Sequence, residues 1–543
     1  MSFDFISRRS PVLARHGMVA SSQPLATMAG IRVLQTGGNA ADAAVATAAA
    51  LNVTEPTSTG LGGDFFVLFY NAKTHAVTAL NGSGRAPAAL TIDRVRSQNL
   101  TSPSHQFTNP FHAHCVTVPG ACAGWCDLIE RHGTLSMSKI LAPAIALAEE
   151  GFPVAPATSH YWQRSEDKLR SALGGQALLV NGNAPRAGEM FRNPGLAKTM
   201  HAIAQGGKDA YYKGHIARAI ADAVQKSGGA LTTDDLTAHA STWDEPISTT
   251  YRDVRVWECP PNGQGLAALM ALNVLEGFDL KKTDPMSVAR WHLMIEAMRV
   301  AFADTSWYVA DPKFSSIPLD GLLSKKYAAE RRGLIHPDKA TLDTQHGSPV
   351  VGSDTVYFCV VDEQGNGASV INSNYMGFGT GIVPEGWGFT LQNRGANFSL
   401  DPAHPNALVP RKRPYHTIIP GMLTRESDQS LYAPFGVMGG FMQPQGHIQV
   451  VVGMVDDGLD PQAALDRPRF CIEPASAAGI VSLESGIPMP VVIELEKRGH
   501  ICKSEVFGYA RSLFGRGQII RREPDGTLWG GSDPRSDGCA IGY

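Results

Sequence analysis

Cysteine is scarce in this 543-residue chain: the eight present are spread thinly, which is not the density or spacing of a disulfide scaffold. A reducing cytoplasm suits that distribution, and a cytoplasmic location is expected. Long apolar runs are missing as well. Met1 to Pro11 carries Asp4, Arg8 and Arg9 without an apolar stretch of signal-peptide length, and the alanine-rich segment near residues 40 to 51 is interrupted by Asp42. A soluble, non-secreted protein with no membrane partner follows. Nor does either sign of charge dominate, since 47 Lys and Arg face 50 Asp and Glu, the formal charge is −3, and the basic residues are scattered. That excludes the basic stripe of a nucleic-acid binder and leaves a small molecule as the default partner.

There is no internal repeat, heptad pattern, low-complexity segment or Walker loop. The glycine-rich stretch Gly377-Phe378-Gly379-Thr380-Gly381 neither follows a strand nor opens a helix as a phosphate cradle should, so no cofactor is expected. His112, His114, Cys115, Cys122 and Cys126 fall close together, but no second ligand pair has zinc-site spacing. Cys122 and Cys126 flank Trp125 at a spacing that suits the packed face of a helix, and no metal is expected.

What the chain does have is hydrophobic content, 43%, enough for a large core at a length that two to four conventional domains could share. From Ala26 to Asn52 it reads as helix, a stop at Gly37-Gly38, then a buried helix capped by Asn39. Gly60-Leu61-Gly62-Gly63-Asp64 leads into two short apolar runs, Phe65 to Tyr70 and Ala76 to Asn81, patterned as a strand pair. Residues 125 to 150 and 286 to 305 show helical periodicity, whereas 307 to 353 is irregular and polar, with the composition of an exposed, mobile linker. Directly after it, Thr355 to Asp362 and Ala368 to Asn372 flank a Gly-Asn-Gly turn in the pattern of a hairpin. A threonine thus stands at the mouth of a strand, just beyond a linker.

Several motifs, in order, resemble the γ-glutamyltransferase family of N-terminal-nucleophile hydrolases. They are Gly17 to Ser21, Gly37-Gly38-Asn39-Ala40-Ala41-Asp42, Gly60 to Gly63, Ala301 to Asp304, Gly377 to Gly381, Lys412-Arg413-Pro414, Gly439-Gly440 and the closing Asp533-Pro534-Arg535-Ser536-Asp537-Gly538. The resemblance implies an α+β fold, a four-layer αββα sandwich with two stacked antiparallel sheets flanked by helices. It also implies a proenzyme cut between Asp354 and Thr355 into a large subunit, 1–354, and a small one, 355–543, sharing one domain. The two pieces would be each other's partners, and a pair of such heterodimers is one assembly open to them.

An internal Thr hydroxyl is a poor nucleophile without an adjacent base. Freed as a chain terminus, Thr355 carries its own, because an α-amino group has a reference pKa of about 7.7–8.0 and is partly neutral at pH 7. By the resemblance, Ser373 is the second hydroxyl that hydrogen-bonds the nucleophile, and Gly439 and Gly440 supply backbone N–H groups to the oxyanion.

The head-group positions depart from the family. Ser83 stands where the family's Arg anchors a carboxylate, with Arg85 two residues on; Tyr375 replaces an Asn, Asn397 an Asp, and His416-Thr417 a Ser-Ser pair, while Arg394 replaces a Gln. Losing the Asp removes the partner of a buried ammonium, a change that costs roughly 3–5 kcal/mol where such a pair exists. Arg394 and His416 offer donors to a carboxylate instead. The pattern is similar to the oxamate amidohydrolase branch, so hydrolysis of a small carboxylate amide, oxamate to oxalate and ammonia in purine-nitrogen salvage, is expected. Two alternatives stand beside it: a γ-glutamyltransferase or glutathione hydrolase using Arg85, and a non-catalytic binding relative.

Overall fold

The computed structural model describes residues 9–343 and 354–543, Asp354 in its backbone only. Its layering starts from an alanine-rich helix, Ala40–Thr54, that is buried along its entire length. Small side chains let neighbouring helices approach on every side, and the one acid, Asp42, is satisfied by a capping box with Asn39 and by the Thr134 and Leu135 amides. The preceding helix, Pro24–Gln35, ends at Gly37 as its sequence predicts.

This helical layer covers a seven-stranded antiparallel sheet in the order Cys539–Gly542, Met18–Ser21, Asp354–Val361, Gly367–Tyr375, Asp64–Asn71, Ala76–Gly82, Thr242–Asp244. A second seven-stranded sheet, from Val12–Ala14 through Leu528–Ser532, Arg516–Arg522, Leu431–Met438, Gly421–Arg425 and Val254–Glu258 to Ile247–Tyr251, stacks on its other face. Helices Gly265–Glu276, Val288–Tyr308 and Met442–Val455 close the far side. The result is the four-layer αββα sandwich, with strands from both sides of the 354–355 bond in each sheet. No helix among the described residues is long and apolar enough to cross a membrane.

Two local expectations need correction. The periodicity over 125 to 150 belongs to two helices, Ala121–His132 and Met137–Glu150, separated at Gly133 to Ser136. Segment 307 to 343 is not an open linker either: it holds the short helices Leu319–Leu322 and Lys325–Arg332. Its end is tied down where the Thr341 amide donates to Glu296 (2.9 Å) and the Ala340 amide to the Arg498 carbonyl (2.7 Å). Lys, Ala, Glu and Arg are good helix formers without an apolar stripe, so composition alone misread the second helix. Residues 344–353 lie outside the described residues.

The closing motif is structural. Arg535 donates to Glu484 (Nε to Oε1, 2.7 Å) and pairs with Asp533 (3.0 Å), which also meets Arg469 (2.8 Å), and the side chains of Glu484, Asp533 and Arg535 are completely buried. Asp537 accepts from the Ala157 and Thr158 amides, each at 3.0 Å, capping the helix Pro156–Arg164. Arg535→Ala removes the buried cation that Glu484 and Asp533 share, leaving them Arg511 and Arg469, and should cost about 3–5 kcal/mol in denaturant unfolding; a loss under 1 kcal/mol would show that water reaches the network.

Candidate active site

The strands Asp354–Val361 and Gly367–Tyr375 pair in regular register from Val361 opposite Gly367 to Val356 opposite Asn372, and then slip so that Asp354 pairs with Tyr375. Thr355 alone therefore faces both Ser373 and Asn374, a bulge that Tyr375 completes at φ 78°. The regular register itself sets Thr355 opposite Ser373, and the slip begins just beyond that pair. Thr355 Oγ1 and Ser373 Oγ are 3.1 Å apart and both residues are buried. Gly63 makes the close approach possible, because a Cβ there would lie 2.2 Å from the Ser373 carbonyl oxygen.

Two donors converge on Ser373 Oγ: the Tyr375 amide at 2.9 Å and Arg394 Nη2 at 3.2 Å. With those lone pairs engaged, the hydrogen of Ser373 is turned outward, with Thr355 Oγ1 within its reach. Arg394 Nη1 donates to Thr417 Oγ1 (2.7 Å), and the guanidinium lies 4.3 Å from the Tyr375 ring centroid. Burial pulls the Arg394 pKa down to about 10 against the opposing pull of Asp64, so it remains a cation at neutral pH.

His416 does not offer itself to a substrate. Its Nδ1 faces the Ile418 amide (3.3 Å) and its Nε2 lies 2.8 Å from Asp64 Oδ2, an arrangement that fits a neutral ring donating to the carboxylate. Burial and Arg394 hold its pKa down at about 3. Burial pushes the Asp64 carboxyl up, but hydrogen bonds from His416 and Gln392 and the charge of Arg394 outweigh this and keep it below the usual range. Asp64 is thus the counter-charge of Arg394, a role the sequence hints at only through its place after the glycine run.

Asn397 accepts from Tyr375 Oη (2.5 Å) and donates to the Tyr415 carbonyl (3.1 Å), so its amide is already engaged. Arg85 is not brought to Thr355: its guanidinium donates to the Ala240 carbonyl (3.2 Å). Ser83 is buried against Asn81 (2.7 Å) and the carbonyl of Ser83 is held by Arg413 (3.1 Å), which gives the Lys412-Arg413-Pro414 motif a positioning part.

Gly439 and Gly440 leave the strand Leu431–Met438 at φ 138° and 60°, just before the helix Met442–Val455. Neither amide has an acceptor among the described residues. Gln264, unremarked in the sequence, donates to the carbonyls of Thr417 (2.7 Å) and Gly440 (2.8 Å) and so fixes the glycine pair relative to the Arg394 shell. A cleft of about 590 Å³ opens beside Gly439, Met376 and Gly377, and a second of about 310 Å³ beside Asn397 and Tyr415. Phe441 and Ala475 line both.

The His112 to Cys126 cluster does not converge; among the described residues the group within metal-ligand reach is His292, Glu296 and His500. That group is knit by its own hydrogen bonds. His292 Nε2 donates to the His336 carbonyl (2.7 Å), leaving Nδ1 to accept from His500 Nε2 (2.8 Å), and Arg299 lies 3.5 Å from His500 Nδ1. A cation there would displace a hydrogen and face a guanidinium.

Ser373→Ala should lower kcat about 10–100-fold with little change in KM, the worth of one hydrogen bond to a developing charge. Gly440→Val forces a β-branched residue to positive φ at the oxyanion position and should cost at least tenfold in turnover. Unchanged kinetics in either variant would place the chemistry elsewhere. Acid provides a separate test. His239, His416, His447 and His500 are held at about 3 with burial as the leading cause, below the 6.5 of an unfolded histidine. As pH falls the unfolded chain takes the protons first, so stability present above pH 6.5 is lost from there toward 3, each site contributing on the order of 1–2 kcal/mol of loss by pH 5. Urea midpoints at pH 7.5 and 5 measure it, and equal midpoints would mean that these rings protonate in the native state.

Comparison with known proteins agrees with this geometry. Residues 26–543 match the family model described as gamma-glutamyltranspeptidase. The chain is 36% identical to the glutathione hydrolase-like YwrD proenzyme of Bacillus subtilis, over 98% of this chain and 99% of that protein. It is 32% identical to the oxamate amidohydrolase proenzyme of Klebsiella pneumoniae, over 98% and 99% respectively. The crystal structure of cephalosporin acylase from Bacillus halodurans superposes with a TM-score of 0.91 at 45% identity, covering 100% of this chain and 98% of that one. The chain is an amidohydrolase of the γ-glutamyltranspeptidase family, with its N-terminal-nucleophile hydrolase fold.

Proposed function

We propose that this chain cuts itself between Asp354 and Thr355 and then hydrolyses amides whose acyl group carries a carboxylate and no ammonium, through an ester on Thr355. The observation that carries the proposal is the chain of contacts from the buried Arg394 guanidinium through Ser373 Oγ to Thr355 Oγ1, at 3.2 and 3.1 Å. A fixed positive charge beside the nucleophile attracts an anionic acyl group. An ammonium would meet Asn397, already paired with Tyr375 and the Tyr415 carbonyl, in place of a carboxylate.

In the precursor the Thr355 hydroxyl attacks the Asp354 carbonyl, the peptide nitrogen leaves as the new α-amino group, and water hydrolyses the ester that remains. The products are the subunits 1–354 and 355–543. In turnover the α-amino group takes the hydroxyl proton as Oγ1 adds to the substrate carbonyl, and the Gly439 and Gly440 amides receive the oxyanion. Ser373 donates to Oγ1 as charge develops. The amine then leaves with the proton, and water attacks the ester with the same amino group as base.

Oxamate is the smallest member of the substrate class and the finer assignment suggested by the sequence. The chamber of about 310 Å³ beside Asn397 and Tyr415 favours a longer acyl group, such as a dicarboxylic monoamide. A cephalosporin acylase among the similar structures supports that reading, and a glutathione hydrolase-like relative supports the γ-glutamyl alternative.

Mass spectrometry should find a fragment beginning at Thr355, and Thr355→Ala should stay a single folded chain without amidase activity. Normal cleavage in that variant would remove Thr355 from the mechanism. Glutaryl and γ-glutamyl p-nitroanilides differ only by the α-amino group, and the glutaryl compound should have the higher kcat/KM by tenfold or more, with oxamate run on the same preparation. The reverse order would show that the head-group shell still accepts an ammonium.

A further inference from the structure

The cleft has two chambers, and a hydrolase with a single acyl pocket needs only one. They meet at Phe441 and Ala475, directly after the glycine pair. The smaller is lined by Ala396, Asn397 and Tyr415, close in sequence to Arg394 and His416, and is the one assigned to the proposed acyl group. The larger opens on the Gly439 side, the direction left for the amine. Its walls mix apolar side chains, Phe111, Phe441, Met442, Ile472 and Leu513, with polar and charged ones.

Three charged side chains reach this larger chamber: Arg164, Lys168 and Glu473. Lys168 is committed, donating to the carbonyls of Gly377 and Gly379 and resting 4.4 Å from the Phe111 ring centroid. Burial raises the Glu473 carboxyl, with Lys503 pulling the other way, which weakens it as a fixed anion. Arg164 is different. Its exposed guanidinium has no hydrogen-bond or ion-pair partner among the described residues, while the helix that carries it is anchored. It ends the helix Pro156–Arg164, which Asp537 caps at the other end and which Trp162 Nε1 and Ser159 Oγ anchor to the Leu178 (2.8 Å) and Pro185 (2.9 Å) carbonyls.

We infer that the larger chamber receives the amine half of the substrate and that Arg164 selects amines bearing a carboxylate on an apolar body. A planar, unengaged guanidinium on the wall of this chamber suits bidentate recognition of a carboxylate, while Phe111, Phe441, Met442, Ile472 and Leu513 offer apolar surface to the rest of the amine. Arg164 is a specificity-determining residue in this assignment, far from the reacting atoms. The inference rests on the proposed orientation of the acyl group, and the experiment separates the two.

Two anilides with a common glutaryl group are compared, one made from 4-aminobenzoate and one from 4-aminobenzamide, which match in size and differ in charge. The native enzyme should favour the carboxylate by fivefold or more in kcat/KM, expressed in KM. Arg164→Ala should remove the preference while leaving the benzamide substrate unchanged, and Arg164→Lys should restore part of it. No preference in the native enzyme, or one that Arg164→Ala leaves intact, would overturn the assignment. Calorimetric titration of the processed enzyme with free 4-aminobenzoate and free 4-aminobenzamide reads the same preference without turnover. If neither glutaryl anilide is cleaved but the titration still shows an Arg164-dependent preference for the benzoate, the acyl reading fails and the amine chamber stands. Equal binding of the two amines would sink the amine chamber.

Discussion

The Arg394 guanidinium carries its charge where no water reaches, and the site is arranged around keeping it there. Burying an ion costs several kcal/mol unless neighbouring groups replace its hydration. Here the replacements are the hydroxyls of Ser373 and Thr417, the face of Tyr375, and the Asp64 carboxylate, itself held by His416 and Gln392. Because the guanidinium that must be satisfied itself donates to Ser373 Oγ, satisfying the ion and orienting the hydroxyl beside Thr355 are one arrangement. Removing the cation would take one donor from each of two hydroxyls and leave a carboxylate without its counter-charge.

The geometry of that shell depends on backbone close to it. The hairpin register sets Ser373 opposite Thr355, the extra residue just beyond it lets Asp354 pair with Tyr375, and Gly63 lets the neighbouring chain lie against the Ser373 carbonyl. Gln264 links the shell to the Gly439-Gly440 pair. The hydroxyls, the charge and the proposed oxyanion donors therefore share one hydrogen-bonded frame, as electrostatic stabilisation of a transition state needs. Strands from both sides of the 354–355 bond interleave in both sheets, so cutting that bond would leave the frame's hydrogen-bonded ladders intact.

Much of this was legible in the chain itself. The helix pair around Gly37 and the hairpins at 65 to 81 and 355 to 372 follow from turn residues and alternation, which are local signals, whereas the Thr355–Ser373 pairing came from the family resemblance. Motif order identified the family. Other features left no local trace. Asp64 and Gln264 matter because they meet residues hundreds of positions away, and Arg85 and Arg394 look equally suited to a carboxylate until one proves to lie against Ala240 and the other beside Ser373.

By itself, then, the sequence determined the class of chemistry, because the family's motifs stand in order along the chain, and that resemblance is what proposes Thr355 as the nucleophile. Only the tertiary structure decided which cation serves the site, that His416 is neutral and paired, and that the cleft divides at Phe441. Each of those outcomes is set by burial and by contacts between distant segments, and desolvation is a property of the packed molecule that no short stretch of sequence carries.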